Sequence, residues 1–443
     1  MRLHVLLIPF LMLLIPRKLF LLPLIYLIPV VSILVFHRLG YLFSMKKVTL
    51  LMAFFIINFT VILFNESNLL NFVLAIASFG FLYPMLLSPP TKLNSVHIDY
   101  WGKGLRILVM FQAILGVIQL FSYGFPFKLP YRDFTEDFFA GTLGIGGNRI
   151  VANMIAVGLI YFFFCHQQNK ASPIRYVKQK MVFLAVCLLM TSSNISLALM
   201  TISFMLMHTS LVKNFFGMKR NKASRWNSKF AAIIILAGLT MGFFLSGGYQ
   251  YMSDTYEKWR YSLDLSDNAR LMATKNTLTS LPDSAPYQPL LGIGLGNYSS
   301  WAQMILSRDY MRLNILGKHA DDSVLSLASE NRLASDNILK YYSEDLYRIE
   351  TQSVLNQPFY SWLAIYGEGG VLFILVFLII FRNRISNLRL KLDDSSGTVI
   401  FKKTLIFYTI FIFLNGFVDN YFEYPWMTMP YIIGLLLLPR MQR

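Results

Sequence analysis

Charge is scarce in this chain, and acid is scarcer than base. Only 14% of the 443 residues are charged, with 40 Lys+Arg against 23 Asp+Glu, while 55% are hydrophobic. Soluble domains carry about 25% charged residues, so an ordinary soluble domain is excluded. Cysteine is nearly absent. Cys165 and Cys187 both fall inside apolar runs, which reads as core packing rather than a disulfide and leaves the redox compartment open. No His/Cys/Asp cluster has metal-ligand spacing; His319, beside Asp321-Asp322, stands alone. No Ser-His-Asp arrangement is visible. The apolar start Met1-Arg2-Leu3 is not followed by a small-residue cleavage site, so it reads as a retained span rather than a removed signal. An internal repeat is also missing, which argues against transporters built from repeated halves.

What the chain does have is apolar runs, recurring at about 3–15, 19–36, 48–64, 68–88, 105–123, 149–165, 181–210, 230–247, 358–381, 404–418 and 425–439. This is the pattern of an all-α polytopic membrane bundle. The run 181–210 is broken by Thr191-Ser192-Ser193-Asn194 and flanked by two purely basic loops, 166–180 and 211–229. Both loops should be cytoplasmic by the positive-inside rule, so the run between them should go out and return as a short helical hairpin. The total becomes about 12 spans with both termini inside. Segments on that side collect 25 Lys+Arg against Asp99, Asp393 and Asp394, a net +22; the remainder carries −5, giving the chain's +17. The basicity is an orientation signal and needs no nucleic acid. Arg17-Lys18 is discordant, and the prolines at 9, 16, 23 and 29 could make 3–36 one irregular element.

Three units follow: spans 1–9 in 1–247, a polar loop 248–357, and spans 10–12 in 358–443. The loop holds 13 of the 23 acids and 10 of the 40 Lys+Arg. Helix-like apolar spacing at 266–280 and 335–355 makes it a small, mostly helical external cap.

Several residues stand out as candidates for chemistry. Gly292-Ile293-Gly294-Leu295-Gly296-Asn297-Tyr298 looks like a phosphate loop, but it lacks the Lys-Ser/Thr of one. It reads either as a tight turn of closely approaching backbones or as a turn whose N–H groups face an anion. Arg270 lies shortly before it. Arg149 follows the Gly-rich stretch 141–147 and Asn148, at the lip of a span. An Arg there is a snorkelling anchor or a bidentate holder of diphosphate. Glu350-Thr351-Gln352 closes the loop. Glu368, between Gly367 and Gly369-Gly370, is the acid placed within a membrane helix; it is either functional or a packed, paired structural group.

These stretches resemble the O-antigen ligase / O-antigen polymerase superfamily over roughly 120–380. The likeness is carried by Gly141–Asn148-Arg149, by Arg270 ahead of Pro289–Tyr298, and by Tyr366-Gly367-Glu368-Gly369 in the span after the loop. Ligases of that family place a His-Asn pair at the loop's end. Here the neighbourhood reads Gln352-Ser-Val-Leu-Asn356-Gln357-Pro358-Phe359, without His, and Ser193-Asn194 replaces a Ser-Arg pair. That favours the polymerase branch.

The resemblance implies a GT-C-like glycosyltransferase at the outer face of a bacterial inner membrane, acting on undecaprenyl-diphosphate-linked glycans in contact with membrane lipid. It needs no cofactor, no metal and no nucleotide sugar, and leaves room for a chain-length regulator as protein partner. Arg270, Arg149, Glu350 and Glu368 are the implied catalytic set: the arginines for the departing diphosphate, the acids as base. Asn148, Gly292, Gly294, Gly296, Asn297, Tyr298 and Gln352 are the expected substrate-binding residues. The rival readings are a ligase, a polysaccharide flippase or transporter, and a non-catalytic assembly partner.

Overall fold

The computed structural model describes residues 2–16, 27–65, 67, 69–88, 95–122, 139–143, 147–168, 176–191, 193–216, 269–300, 302, 331–340, 360–388 and 395–438. The fold is mostly helical. In chain order the main helices are α1 (Leu27–Arg38), α2 (Met45–Phe64), α3 (Leu69–Ser78), α4 (Ser95–Ser122), α5 (Asn148–Gln167), α6 (Val177–Met190), α7 (Asn194–His208), α8 (Ala269–Leu278), α9 (Ser361–Asn387), α10 (Ser396–Asn415) and α11 (Pro425–Leu436). Five of them, α2, α4, α5, α9 and α10, are long and apolar enough to cross a membrane; α1 and much of α7 are shorter apolar helices. Pro29 sits in the first turn of α1, where its missing N–H costs nothing.

Burial sorts the long helices into centre and rim. In α5, 78% of the apolar window is buried, against 28% in α2. α5 packs on α4, α6, α7 and α10, whereas α2 exposes Met52, Ile56, Phe59 and Leu63 along one face. That spacing is one helical stripe, and only an apolar surround makes its exposure inexpensive. Polar side chains inside the helices bond to the carbonyl one turn back, as Ser32 Oγ does to Ile28 O at 2.8 Å and Thr404 Oγ1 to Ile400 O at 2.8 Å. Between helices, Asn153 Nδ2 donates to Asn415 Oδ1 at 2.8 Å. Both cysteines are buried free thiols.

The run 181–210 is not one helix. α6 ends at Met190 and α7 begins at Asn194, and both helices pack against α5.

Two glutamines on α4 pin the segment ahead of α5. Gln119 Oε1 accepts from the N–H groups of Ala140 and Gly141 (3.1 and 2.8 Å), and its Nε2 donates to Gly141 O at 2.7 Å. Gln112 does the same for Thr142, accepting from its N–H at 2.8 Å and donating to Oγ1 at 2.7 Å. Residues 140–142, ahead of α5 with its Asn148 and Arg149, are therefore held against α4.

Candidate functional site at the loop end of the bundle

The Gly-rich turn owes its position to a break in α9. Gly370, at φ 61° and ψ −162°, interrupts that helix, so the carbonyls ahead of it need donors from elsewhere. The turn supplies them: Ile293 N–H donates to Gly367 O and Gly294 N–H to Glu368 O, each at 3.0 Å. The Glu368 side chain then receives the rest of the turn. Gly296 N–H reaches Oε2 at 2.7 Å, while Tyr298 and Ser300 N–H reach Oε1 at 3.2 and 2.9 Å.

Gly292, Gly294 and Gly296 have φ of 72°, 104° and 80°, the left-handed region that glycine tolerates. A Cβ on Gly292 would collide with the Glu368 backbone, and one on Gly296 with the Asn71 carbonyl. Gly292→Ala should therefore cost about 1–2 kcal/mol in backbone strain in addition to the collision. The expected outcome is a lowered thermal midpoint in detergent. A midpoint equal to wild type would mean that the turn is not seated as described.

This geometry corrects two expectations. The turn's N–H groups do face an anion, but it is the protein's own carboxylate rather than a substrate phosphate. Gly292, Gly294, Gly296, Asn297 and Tyr298 are all buried, so as a group they pack into the bundle. Asn297 Nδ2 turns inward to Leu295 O at 3.0 Å. Glu368 is 0% exposed, with both oxygens accepting backbone N–H groups, and a general base needs a lone pair facing the hydroxyl whose proton it takes. Glu368 is a fastening group.

The open part of the loop end lies one layer away, where the starts of α5 and α9, helix α8 and the connector 416–424 meet. Arg270, in the first turn of α8, donates from Nη1 to Phe417 O at 2.9 Å and from Nη2 to Val418 O. Its guanidinium stacks on the Tyr360 ring, 5.0 Å from the centroid, a cation–π contact. Tyr360 OH in turn bonds Thr274 Oγ1 of α8 at 3.0 Å. The next residue of the connector is Asp419, which interacts electrostatically with both Arg149 and Arg270. The fields of the two arginines also overlap, since Arg149 is among the charges acting on Arg270.

Arg149, Arg270 and Asp419 are each only partly buried, unlike Glu368. Burial raises the Asp419 carboxyl above the usual carboxylate range, partly offset by the Asn420 N–H on Oδ1 (2.7 Å) and by the two arginines. Burial likewise works against the charge of Arg270, and Asp419, Tyr360 and Tyr421 support it. The constellation is two cations and one carboxylate of raised pKa, all partly buried. It suits an anion that must be gripped while a proton is removed nearby.

The structure thus places Arg149 and Arg270 within electrostatic reach of each other and of Asp419, with Asn148 buried beside Arg149 at the start of α5. Glu350 and Gln352 lie outside the described residues. Sequence reasoning missed Asp419, and with it Tyr360 and Asn420. The available signal was a pair of acids, Asp419 and Glu423, in the short gap between the last two apolar runs. No family model matches the chain, and no curated protein or solved structure matches it either.

Proposed function

We propose that this chain is a polymerase of polyprenyl-diphosphate-linked oligosaccharide repeat units, a member of the O-antigen polymerase branch that it resembles. In this reading it has about 12 spans and a GT-C-like plan. It sits in a bacterial inner membrane with both termini cytoplasmic and the loop end outside. The observation that supports the reading best is the meeting of Arg149 and Arg270, from elements far apart in sequence, around Asp419. A diphosphate leaving group requires paired positive charge, and two guanidinium forks at one place supply it.

In the reaction, a hydroxyl oxygen of the incoming lipid-linked unit attacks the anomeric carbon of the growing chain. The bond from that carbon to the carrier diphosphate breaks, and the electron pair leaves with the diphosphate, held by Arg149 and Arg270. The hydroxyl proton passes to Asp419, which takes the role expected of Glu368. Tyr360 holds the Arg270 plane, and the connector carbonyls fix its fork.

Deleting the gene and profiling lipid-linked glycans tests the reading. Single repeat units should accumulate on the carrier lipid, and long chains should vanish. Long chains accumulating on the carrier would indicate a ligase instead. An unchanged profile would overturn both.

A further inference from the structure

We infer that Glu368 is the positioning residue of this site, a carboxylate clasp that holds both Arg270 and the Asp419 connector in place through the 292–300 turn. The clasp itself is independent of the function proposed above; only its consequence for catalysis rests on that reading.

Two arms leave the clasped turn. One runs through Tyr298, whose N–H sits on Glu368 Oε1 and whose hydroxyl bonds Thr277 Oγ1 of α8 at 2.6 Å. Thr277 lies two turns along the helix that carries Arg270 in its first turn, and it is 0% exposed. The other arm runs through Ser299, the residue between the two whose N–H groups share Oε1. Ser299 O accepts from Asn420 Nδ2 at 2.9 Å, and Asn420 N–H holds Asp419 Oδ1 at 2.7 Å. One buried carboxylate is therefore two residues of contact from each half of the constellation.

A second set of bonds shows that the seat is built for this. The Gly367 and Glu368 carbonyls, left open by the break at Gly370, take the N–H groups of Ile293 and Gly294. Gly367 has no side chain where the Tyr298 ring lies, and Gly370 has none where the Leu290 backbone passes. The break in the helix, the small residues and the carboxylate all serve one seated turn. A carboxylate with two oxygens can accept from three amides. A carboxamide offers one oxygen, and its NH₂ opposes a donor. Glu368→Gln should release the turn without changing its volume.

Ser299→Cys reports on release. The residue is 0% exposed, and its hydroxyl has no hydrogen-bond partner among the described residues, so the replacement loses no bond. In detergent, a polar maleimide should leave the introduced thiol unmodified beside Glu368 and label most of it beside Glu368→Gln. A control cysteine in place of Ser203, buried in α7, should stay unlabelled in both, separating local release from unfolding. In the wild-type protein, the amides of Gly296, Tyr298 and Ser300 should exchange with deuterium on the order of 100-fold more slowly than in an unstructured peptide.

With lipid-linked repeat units, kcat of Glu368→Gln should fall by about 10²-fold through misplacement, while the acid limb of its pH profile stays where it is in wild type. Protection of the Ser299→Cys thiol in the Glu368→Gln background, or fast exchange of the three wild-type amides, overturns the clasp. The exchange measurement decides alone if that variant does not insert. Labelling with an unchanged kcat overturns the positioning role and leaves the clasp. A wild-type protein inactive on these lipids would refute the proposed function, with the labelling and exchange results still standing.

Discussion

Arg270→Ala should slow chain growth from lipid-linked repeat units by about 10²–10³-fold, the loss that follows removal of one preorganised donor to a developing anion. The structure makes this substitution less simple than removal of a charge. At least two of the guanidinium N–H groups are committed to the carbonyls of Phe417 and Val418, and the plane rests on Tyr360. Alanine therefore removes both a grip on the ligand and a brace on the connector that carries Asp419. Arg270→Lys separates the two in part. It keeps the charge, but a single ammonium cannot span two carbonyls, stack on a ring and present a planar fork, so it should recover little. Arg149→Ala should cost a similar factor without touching the brace. If both arginines hold one diphosphate, the double variant should be far less impaired than the product of the single losses, because groups acting as a unit are non-additive. Rates from purified protein in detergent, with a thermal midpoint measured beside each, decide the matter. Near-normal growth in Arg270→Ala would leave the mechanism without its first residue.

Composition exposes the membrane class because an apolar surround requires side chains that water would not tolerate, and this holds residue by residue. Helix length is less legible. The helix Leu69–Ser78 stops after 10 residues, although the apolar run 68–88 reads as a full span, since hydropathy records solvent preference and not where a backbone stops turning. The break after Met190 is legible because basic loops on both sides force a return.

In the site, Arg149 stands out in sequence because it adjoins a glycine cluster, and Arg270 because it precedes one; glycine marks places where backbones come close. Asp419 does not stand out. Its partners are Arg149 and Arg270, far away in the chain, and an acid in the short gap between two apolar runs, with Glu423 beside it, reads as loop solvation until the fold closes. Glu368 is visible in the sequence but ambiguous. The glycines at 367, 369 and 370 fit either a functional acid or a packed one, and only the three amides of a segment far back in the chain distinguish them. Local patterns reveal where backbones are crowded; they do not reveal which distant group fills the space.

Asp419→Asn should cost about 10²–10⁴-fold in kcat, the usual contribution of a positioned proton acceptor, and it should change the pH profile in a defined direction. The acceptor form of Asp419 is the ionised one, so activity falls as pH drops through its pKa. An ordinary aspartate titrates near about 3.9. Burial raises Asp419 above that, and the arginines offset only part of the rise, so the acid limb of kcat/KM should appear at higher pH than an ordinary aspartate allows. In Asp419→Asn that limb should disappear, leaving a low, flat rate. Asn keeps the volume and can still accept from the Asn420 N–H, so the connector should remain in place. Asp419→Glu should restore part of the rate together with a limb. Arg149→Ala should move the limb further up in pH, because it removes a charge that favours the ionised carboxylate. Two results would refute the assignment: an acid limb unchanged in Asp419→Asn, which would place the titrating group elsewhere, or a rate within a few-fold of wild type, which would make Asp419 a partner of the arginines with no part in proton transfer.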